Sequence, residues 1–245
     1  MASYKLLWSD EFDKDGKPNE SIWQFETGGH GFGNGEDQYY TDKLDNAFVK
    51  DGLLHIVAKK EAYENRQYTS AKLTTYGKKS IQYGRVEVMA QLPLGKGTWP
   101  AIWLLPNSFQ KGVAWPLCGE IDLMEHVGHN PGVVHFSLHS KSYNHHNHQQ
   151  PTKVIEDQSL ATGFHEYAFE WDEEQFSFFI DKKHYVTFHK GDEHRLTDEG
   201  GWPFDQPFYL ILNIALGGWW GSTIDDSIFP VSMLFKYVRV YERSE

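Results

Sequence analysis

Three acids stand within six residues in the segment Gly119–Gly128 (GEIDLMEHVG): Glu120, Asp122 and Glu125. On a regular strand residues two apart share a face, so Glu120 and Asp122 project together and Ile121 points the other way. Glu125 lies five residues beyond Glu120, an odd separation that a regular strand sends to the core side. An ionised carboxylate without a partner is costly there. One β-bulge between Asp122 and Glu125 repairs the parity. All three acids then line one face, with Ile121 and one of Leu123 or Met124 turned inward. Like charges in a row repel, so a neighbour that cannot ionise at the same time keeps its proton to higher pH. Three chemistries fit such a set. It can be a solvated acidic strand or a cation site. It can also supply two carboxyl groups about 5–5.5 Å apart, a nucleophile and an acid/base, as double displacement at a glycosidic bond requires.

Aromatic and basic side chains recur at spacings that would furnish such a face. Trp99 and Trp103 are four apart and share a strand parity. An indole offers a flat surface to a sugar's C–H groups and an N–H to a hydroxyl, although two tryptophans in a β protein also make good core. His135 and His139, in Val133–Ser140 (VVHFSLHS), again have even parity. Either suits a place beside an acid or a structural hydrogen bond. His145, His146 and His148 crowd the run YNHHNHQQ, where no partner spacing marks a designed metal site. Trp219 and Trp220 follow the pair Gly217-Gly218, and Arg85 follows Tyr83-Gly84 on an alternating segment, where a surface ion pair is the plain alternative to a binding role.

The elements that must position these residues read as strands. Leu53–Ala58, Ser80–Leu92, Tyr167–Trp171, Gln175–Ile180, Tyr185–His189, Phe208–Leu216 and Tyr237–Tyr241 are apolar or alternating runs separated by Gly, Pro, Asn and Asp clusters. That pattern predicts an antiparallel sandwich. Helix is confined to short turns near Asp226–Phe229 or Gln158–Ala161. The Gly-rich stretch Thr27–Gly35 reads as a structured loop, and Glu61–Lys79 as a hairpin with a long loop. No linker or internal repeat divides the chain, so one domain over residues 1–245 is expected.

Composition narrows the partners. The 245 residues carry 34 Asp+Glu against 23 Lys+Arg, a formal net charge of -11. This argues against a nucleic-acid backbone, an anionic membrane or a highly sulfated polymer. Cys118 is the single cysteine, so neither an internal disulfide nor a cysteine metal cluster can form. No apolar run approaches the ~20 residues of a membrane helix. The start, Met1-Ala2-Ser3-Tyr4, lacks the basic and apolar regions of a signal peptide. A trimmed secreted protein would look the same, so the compartment stays open.

The segment GEIDLMEHVG resembles the E-I-D-x-x-E signature of glycoside hydrolase family 16, in the laminarinase-like branch that carries the bulged spacing. Further similar segments run in order along most of the chain: Trp8–Phe12 (WSDEF), Asn34–Thr41 (NGEDQYYT), Tyr83–Glu87 (YGRVE), Trp99–Trp103 (WPAIW), Asn213–Gly218 (NIALGG) and Tyr237–Tyr241 (YVRVY). The resemblance implies an all-β fold, a β-jelly-roll sandwich of two antiparallel sheets with a concave substrate cleft. It implies retaining endo-hydrolysis of β-1,3 bonds in laminarin-like or mixed-linkage β-1,3/1,4-glucans. A non-catalytic β-glucan-binding protein of the same fold, a sister hydrolase acting on agar or carrageenan and a transglycosylase are the competing expectations.

By the same resemblance Glu120 is the nucleophile, Glu125 the acid/base, and Asp122 the residue between them that tunes both. Trp103 floors the subsite beside the cleaved bond, with Trp99 near it. Arg85 reaches into the cleft, Asn34 and Gln38 line the glycone end, and Trp219 and Trp220 form a platform. His139 faces the acid, and the histidine run forms a loop at the leaving-group end. Many relatives bind a structural calcium through an Asp just before the last strand's aromatic. Lys236 stands at that position, and an ammonium cannot ligate calcium. No cofactor and no metal are therefore expected, with Lys236 bonding to the backbone oxygens instead. The expected partner is a β-glucan polysaccharide or oligosaccharide, with no nucleic acid and no membrane. The chain is expected to act as a monomer, secreted or at the cell surface.

Overall fold

The run FYLILNIAL is apolar at nearly every position, and it forms a strand, Phe208–Leu216, that is buried along its whole length. In the computed structural model, which describes residues 3–244, this strand lies inside a seven-stranded sheet. The order across that sheet is Thr152–Glu156, Val133–His139, Glu120–His126, Thr98–Pro106, Phe208–Leu216, Lys72–Thr74 and Gln24–Phe25. All of its pairings are antiparallel.

The second sheet has ten strands. Its backbone order is Lys183–His189, Gln175–Ile180, His165–Trp171, Gly84–Gln91, Val231–Ser244, Leu53–Tyr63, Arg66–Ser70 and Gln38–Tyr40. Ser3–Asp10 adds to Val231–Ser244, and Ala47–Lys50 adds to Leu53–Tyr63. One pair departs from the antiparallel expectation: Gln38–Tyr40 runs parallel to Arg66–Ser70. The chain passes from this sheet to the other within three residues, from Ser70 through Ala71 to Lys72. At that crossing Ser70 Oγ donates to the Ile214 carbonyl at 2.7 Å.

Alternation assigns the faces. Val86, Val88 and Ala90 of one sheet, and Ile102, Leu104, Ile121, Leu210 and Leu212 of the other, join one hydrophobic core with Phe169, Phe176 and Phe178. Each such side chain, fully buried, contributes about 1.5–3 kcal/mol. The arrangement is the β-jelly-roll sandwich that the strand pattern and the family resemblance imply. The observed strands extend several predicted ones, as with Leu53–Tyr63 and Val231–Ser244, and the predicted helical turns are 3-10 turns at Gln158–Ala161 and Asp226–Ile228. Among the described residues no helix is long and apolar enough to cross a membrane. With the even-parity side chains in the core, the seven-stranded sheet presents the odd set, Trp99, Ala101, Trp103 and Leu105, on its outer face.

Candidate active site

The acid strand, Glu120–His126, contains the bulge that the spacing demands. Against Val133–His139, Asp122 pairs with Ser137 and Glu125 with His135, so three steps on one strand face two on the other. The register also shifts against Thr98–Pro106 between Asp122 and Met124. Leu123 and Met124 are both wholly buried in the core cluster. Two successive residues therefore face inward, where the sequence reading expects only one. Glu125 is returned to the face of Glu120 and Asp122. The two glutamates are part-exposed on the outer face, and between them Asp122 is 1% exposed.

Burial and mutual repulsion hold all three acids above the ordinary carboxylate range. Burial pushes Glu120 up to about 8, and the Asp122 charge adds to this, while His139 and the Trp115 indole N–H oppose it. Burial pushes Glu125 up to about 7, reinforced by the Glu120 charge and opposed by His139 and by the Trp99 N–H. Asp122 is raised well above its usual value by burial and then by the Glu125 charge. The three titrate as one coupled group. These shifts keep protons on the acid cluster near neutral pH, on Glu120 no less than on Glu125.

Tryptophan and histidine surround the acids. Trp99 Nε1 donates to Glu125 Oε1 at 3.2 Å. His139 sits opposite Glu120 in the ladder, with Nε2 3.1 Å from Asp122 Oδ2, close but short of a well-directed hydrogen bond. His135, opposite Glu125, packs edge-on to Trp220 at 5.0 Å, and burial lowers its pKa. Trp219 is 58% exposed, whereas Trp220 is part-buried against the Trp99 cluster. The turn before them has no room for a side chain. Gly217 and Gly218 take φ values of +64 and +63, and a Cβ on Gly217 would meet Asp37 Oδ2 at 1.9 Å.

Trp103 is held from behind. Its Nε1 donates to Asn213 Oδ1 at 2.7 Å, Asn213 Nδ2 donates to the Tyr40 hydroxyl at 3.0 Å, and that hydroxyl donates to Glu36 Oε2 at 3.2 Å. Asn34 and Gln38 also donate to the Glu36 carboxylate, which burial pushes upward in pKa. Gln38 was expected to line the substrate end. It is instead fully buried, with Nε2 on Glu36 and Oε1 accepting from the Leu216 N–H. It braces the support of Trp103 and cannot touch a ligand. Asn34 remains part-exposed, and its carbonyl accepts from the Trp219 N–H at 3.2 Å.

Arg85 is not at this face. The apolar positions Val86, Val88 and Ala90 of its strand take the interior, so Arg85 projects from the far side of the ten-stranded sheet. There it pairs with Glu87 at 2.7 Å and with Glu170 at 2.9 Å. Lys236 also differs from expectation. It is exposed, with Nζ 5.0 Å from the Phe164 ring centroid, and none of its hydrogen bonds to a backbone oxygen is seen among the described residues.

Several residues at the site carried no sequence signal. Trp115, in an irregular loop, stacks on His145 at 4.9 Å, and His145 also lies 5.3 Å from His139 and 5.1 Å from Trp219. The histidine run thus folds over the acid strand, and burial lowers His145 to about 4. Lys72 Nζ is 5.1 Å from the Trp103 ring and 4.7 Å from Phe32, and is paired with Glu26 at 3.0 Å. Glu120, Asp122 and His139 each offer an atom within 4.8 Å of the others, which is sufficient to hold a cation. They are the acid cluster itself, so a cation there would displace the protons the cluster retains.

Comparison with known proteins places this arrangement. The family model "Glycosyl hydrolases family 16" matches residues 34–229. A beta-glucanase from Rhodothermus marinus is 50% identical over 97% of this chain and 85% of that protein. Glucan endo-1,3-beta-glucosidase A1 from Niallia circulans is 36% identical over 99% of this chain, which spans 38% of that protein's length. The X-ray structure of the laminarinase from Rhodothermus marinus superposes with a TM-score of 0.95 at 48% identity, covering 100% of each chain. The chain belongs to glycosyl hydrolase family 16.

Proposed function

We propose that this glycosyl hydrolase family 16 chain cleaves internal β-1,3-glucosidic bonds of laminarin-like or mixed-linkage glucans by double displacement. The observation that carries the reading is the placement of Glu120 and Glu125 on one face, on either side of the buried Asp122. Similarity to a beta-glucanase and to a laminarinase supports the substrate class.

Glu120 attacks the anomeric carbon while Glu125 protonates the leaving oxygen, so that one C–O bond forms as another breaks. Glu125, now ionised, then takes a proton from water, which displaces Glu120 with a second inversion. Asp122 holds a proton beside Glu120 and sets how charge is shared among the three. Trp103, aimed by Asn213, offers its ring to a sugar, and the exposed Trp219 offers a second surface. No metal or cofactor takes part. The chain acts as a monomer outside the cell.

Glu120→Ser is expected to abolish hydrolysis of laminarin while oligosaccharide binding persists; a tenth of the activity remaining would remove Glu120 as the nucleophile. Glu125→Gln is expected to slow poor leaving groups most, with azide partly restoring turnover of an activated aryl β-glucoside. Digestion of laminarin, barley β-glucan, agarose and carrageenan side by side fixes the linkage. The first product from laminarin, followed by proton NMR, is expected to be the β-anomer. An unchanged melting temperature with calcium or chelator is expected, and a calcium-dependent rise would contradict the metal-free reading.

A further inference from the structure

Trp103 is part-exposed at the acid face, yet its N–H is fixed by buried groups behind it. The hydrogen bonds form one line. Trp103 Nε1 donates to Asn213 Oδ1 at 2.7 Å, Asn213 Nδ2 to Tyr40 Oη at 3.0 Å, and Tyr40 Oη to Glu36 Oε2 at 3.2 Å. Asn213, Tyr40 and Glu36 are 5%, 1% and 5% exposed, so bulk water does not replace these partners. The direction of the line is set from both ends. An indole N–H only donates, so Asn213 turns its oxygen to Trp103 and its NH2 to Tyr40. The Tyr40 oxygen accepts there, and its single proton must go elsewhere. At the other end Gln38 Oε1 accepts from the Leu216 N–H at 2.7 Å, which leaves the Gln38 NH2 to donate to Glu36 Oε2 at 2.6 Å. Gln38 therefore cannot receive the Tyr40 proton. Glu36 Oε2 is the acceptor on which both branches end.

We propose that Glu36 is a positioning residue for substrate binding, acting through Tyr40 and Asn213 to hold the Trp103 ring at the angle on which a sugar stacks. What position 36 must supply is an oxygen acceptor. Without one, the Tyr40 proton turns back to Asn213, and the Asn213 amide turns over to receive it. Its NH2 then faces the Trp103 N–H, two donors meet, and the ring is released. A glutamine at position 36 keeps an oxygen toward Tyr40 and Gln38 and points its NH2 at Asn34. The Asn34 amide donates to Glu36 Oε1 at 3.0 Å from a part-exposed side chain, so it has room to turn and offer its oxygen instead. The inference rests on the reading of Trp103 as a sugar platform in a β-glucanase.

The test labels tryptophan nitrogen in the full chain and follows the Trp103 indole N–H by NMR without substrate, its signal assigned by its loss in Trp103→Phe. KM and kcat on a laminarin oligosaccharide are measured beside it. The wild-type indole proton is expected to exchange slowly with water. Glu36→Leu is expected to speed that exchange at least about tenfold and to raise KM by about two- to tenfold, the worth of one hydrogen bond, with kcat within about twofold. Loss of folded protein alone would lower kcat and leave KM in place. Glu36→Gln is expected to keep both the slow exchange and the KM of the wild type to within about twofold. Tyr40→Phe removes the proton that would turn Asn213 over, so the double variant Glu36→Leu with Tyr40→Phe is expected to bind better than Glu36→Leu alone. A freely exchanging wild-type proton, an unchanged KM in Glu36→Leu, a Glu36→Gln as damaged as Glu36→Leu, or a double variant worse than Glu36→Leu would each overturn the proposal. If Glu36→Leu does not fold, Glu36→Met, which keeps the side-chain length, takes its place. Activity surviving Glu120→Ser would sink the catalytic reading, while the substrate-free indole signal judges the relay separately.

Discussion

The indole N–H of Trp99 and the Oε1 of Glu125 lie 3.2 Å apart, so a side chain suited to sugar stacking also donates a hydrogen bond to the acid/base. A donor to a carboxylate favours its ionised form, and this contact restrains Glu125 against the burial that pushes it up to about 7. Trp99→Phe keeps a ring and removes the donor. The alkaline limb of the kcat/KM profile, which reports loss of the acid's proton, is then expected to move to higher pH. The plateau is expected to fall by about two- to tenfold. An alkaline limb that stays in place or moves downward would show that this bond does not tune Glu125.

Asp122 gives a stability prediction with a definite sign. Its carboxyl is raised well above the ordinary value in the folded chain, whereas in the unfolded chain it ionises near ~3.9. Above that pH the unfolded state binds fewer protons than the folded state, so stability declines as pH rises until the folded group ionises too. An asparagine carries no such penalty. Asp122→Asn is expected to raise Tm at pH 7 by about 2–6 °C, at roughly 2–4 °C per kcal/mol for a chain of this length, and hardly at all at pH 4. Activity is expected to fall at least tenfold. The same gain in Tm at both pH values would mark a packing effect.

The bulge can be tested by removing its extra residue. Deletion of Leu123 removes the extra residue and leaves Glu120 and Glu125 at an even separation, so a regular strand without the bulge still presents both on the acid face. Activity is expected to survive within about tenfold, because a general acid worth about 10²–10⁴-fold stays in place, with a lower Tm. Leu123→Ala keeps the register and is the control; it is expected to cost about 2–5 kcal/mol of stability while kcat/KM stays within a few fold. A drop of about 10²–10⁴-fold in the deletion variant, as for a missing general acid, would falsify the geometric argument.

Arg85 should matter to folding and not to turnover. It faces Glu87 and Glu170 directly, and Glu166 at 3.9 Å, on the sheet away from the acids. Arg85→Met leaves those carboxylates facing one another, and because the group is only part-buried the cost is at most about 3–5 kcal/mol, that of breaking a buried pair. Tm is expected to fall by about 5–15 °C, with kcat/KM at 25 °C within twofold of the wild type. A tenfold drop in kcat/KM with Tm intact would return Arg85 to the substrate face.

The acids were legible because two constraints met at one place. An odd spacing and the cost of a buried charge together demand a bulge, and the bulge is present between Asp122 and Glu125. Arg85 is expected in the cleft from the family resemblance alone, and strand parity does not correct this, because it tells which way a side chain points relative to the core and says nothing of which sheet holds the strand. Gln38 was misread because its local pattern does not reveal that Glu36 is buried and draws polar side chains inward. Trp115 and His145 meet only through loop geometry, which no periodicity encodes. Lys72 falls within Glu61–Lys79, which reads as a hairpin with a long loop, and nothing in that stretch marks the one lysine that turns toward Trp103.

The passage of the chain from one sheet to the other at Ser70–Lys72, riveted by Ser70 to the Ile214 carbonyl, bears on how a polymer is handled. A covalent tie this short next to Lys72 and Trp103 keeps the two layers from sliding like shutters over a bound strand. A long glucan then lies against a layered body that serves as a fixed anvil, and the His145 arm, packed on Trp115 and Trp219, is part of that rim.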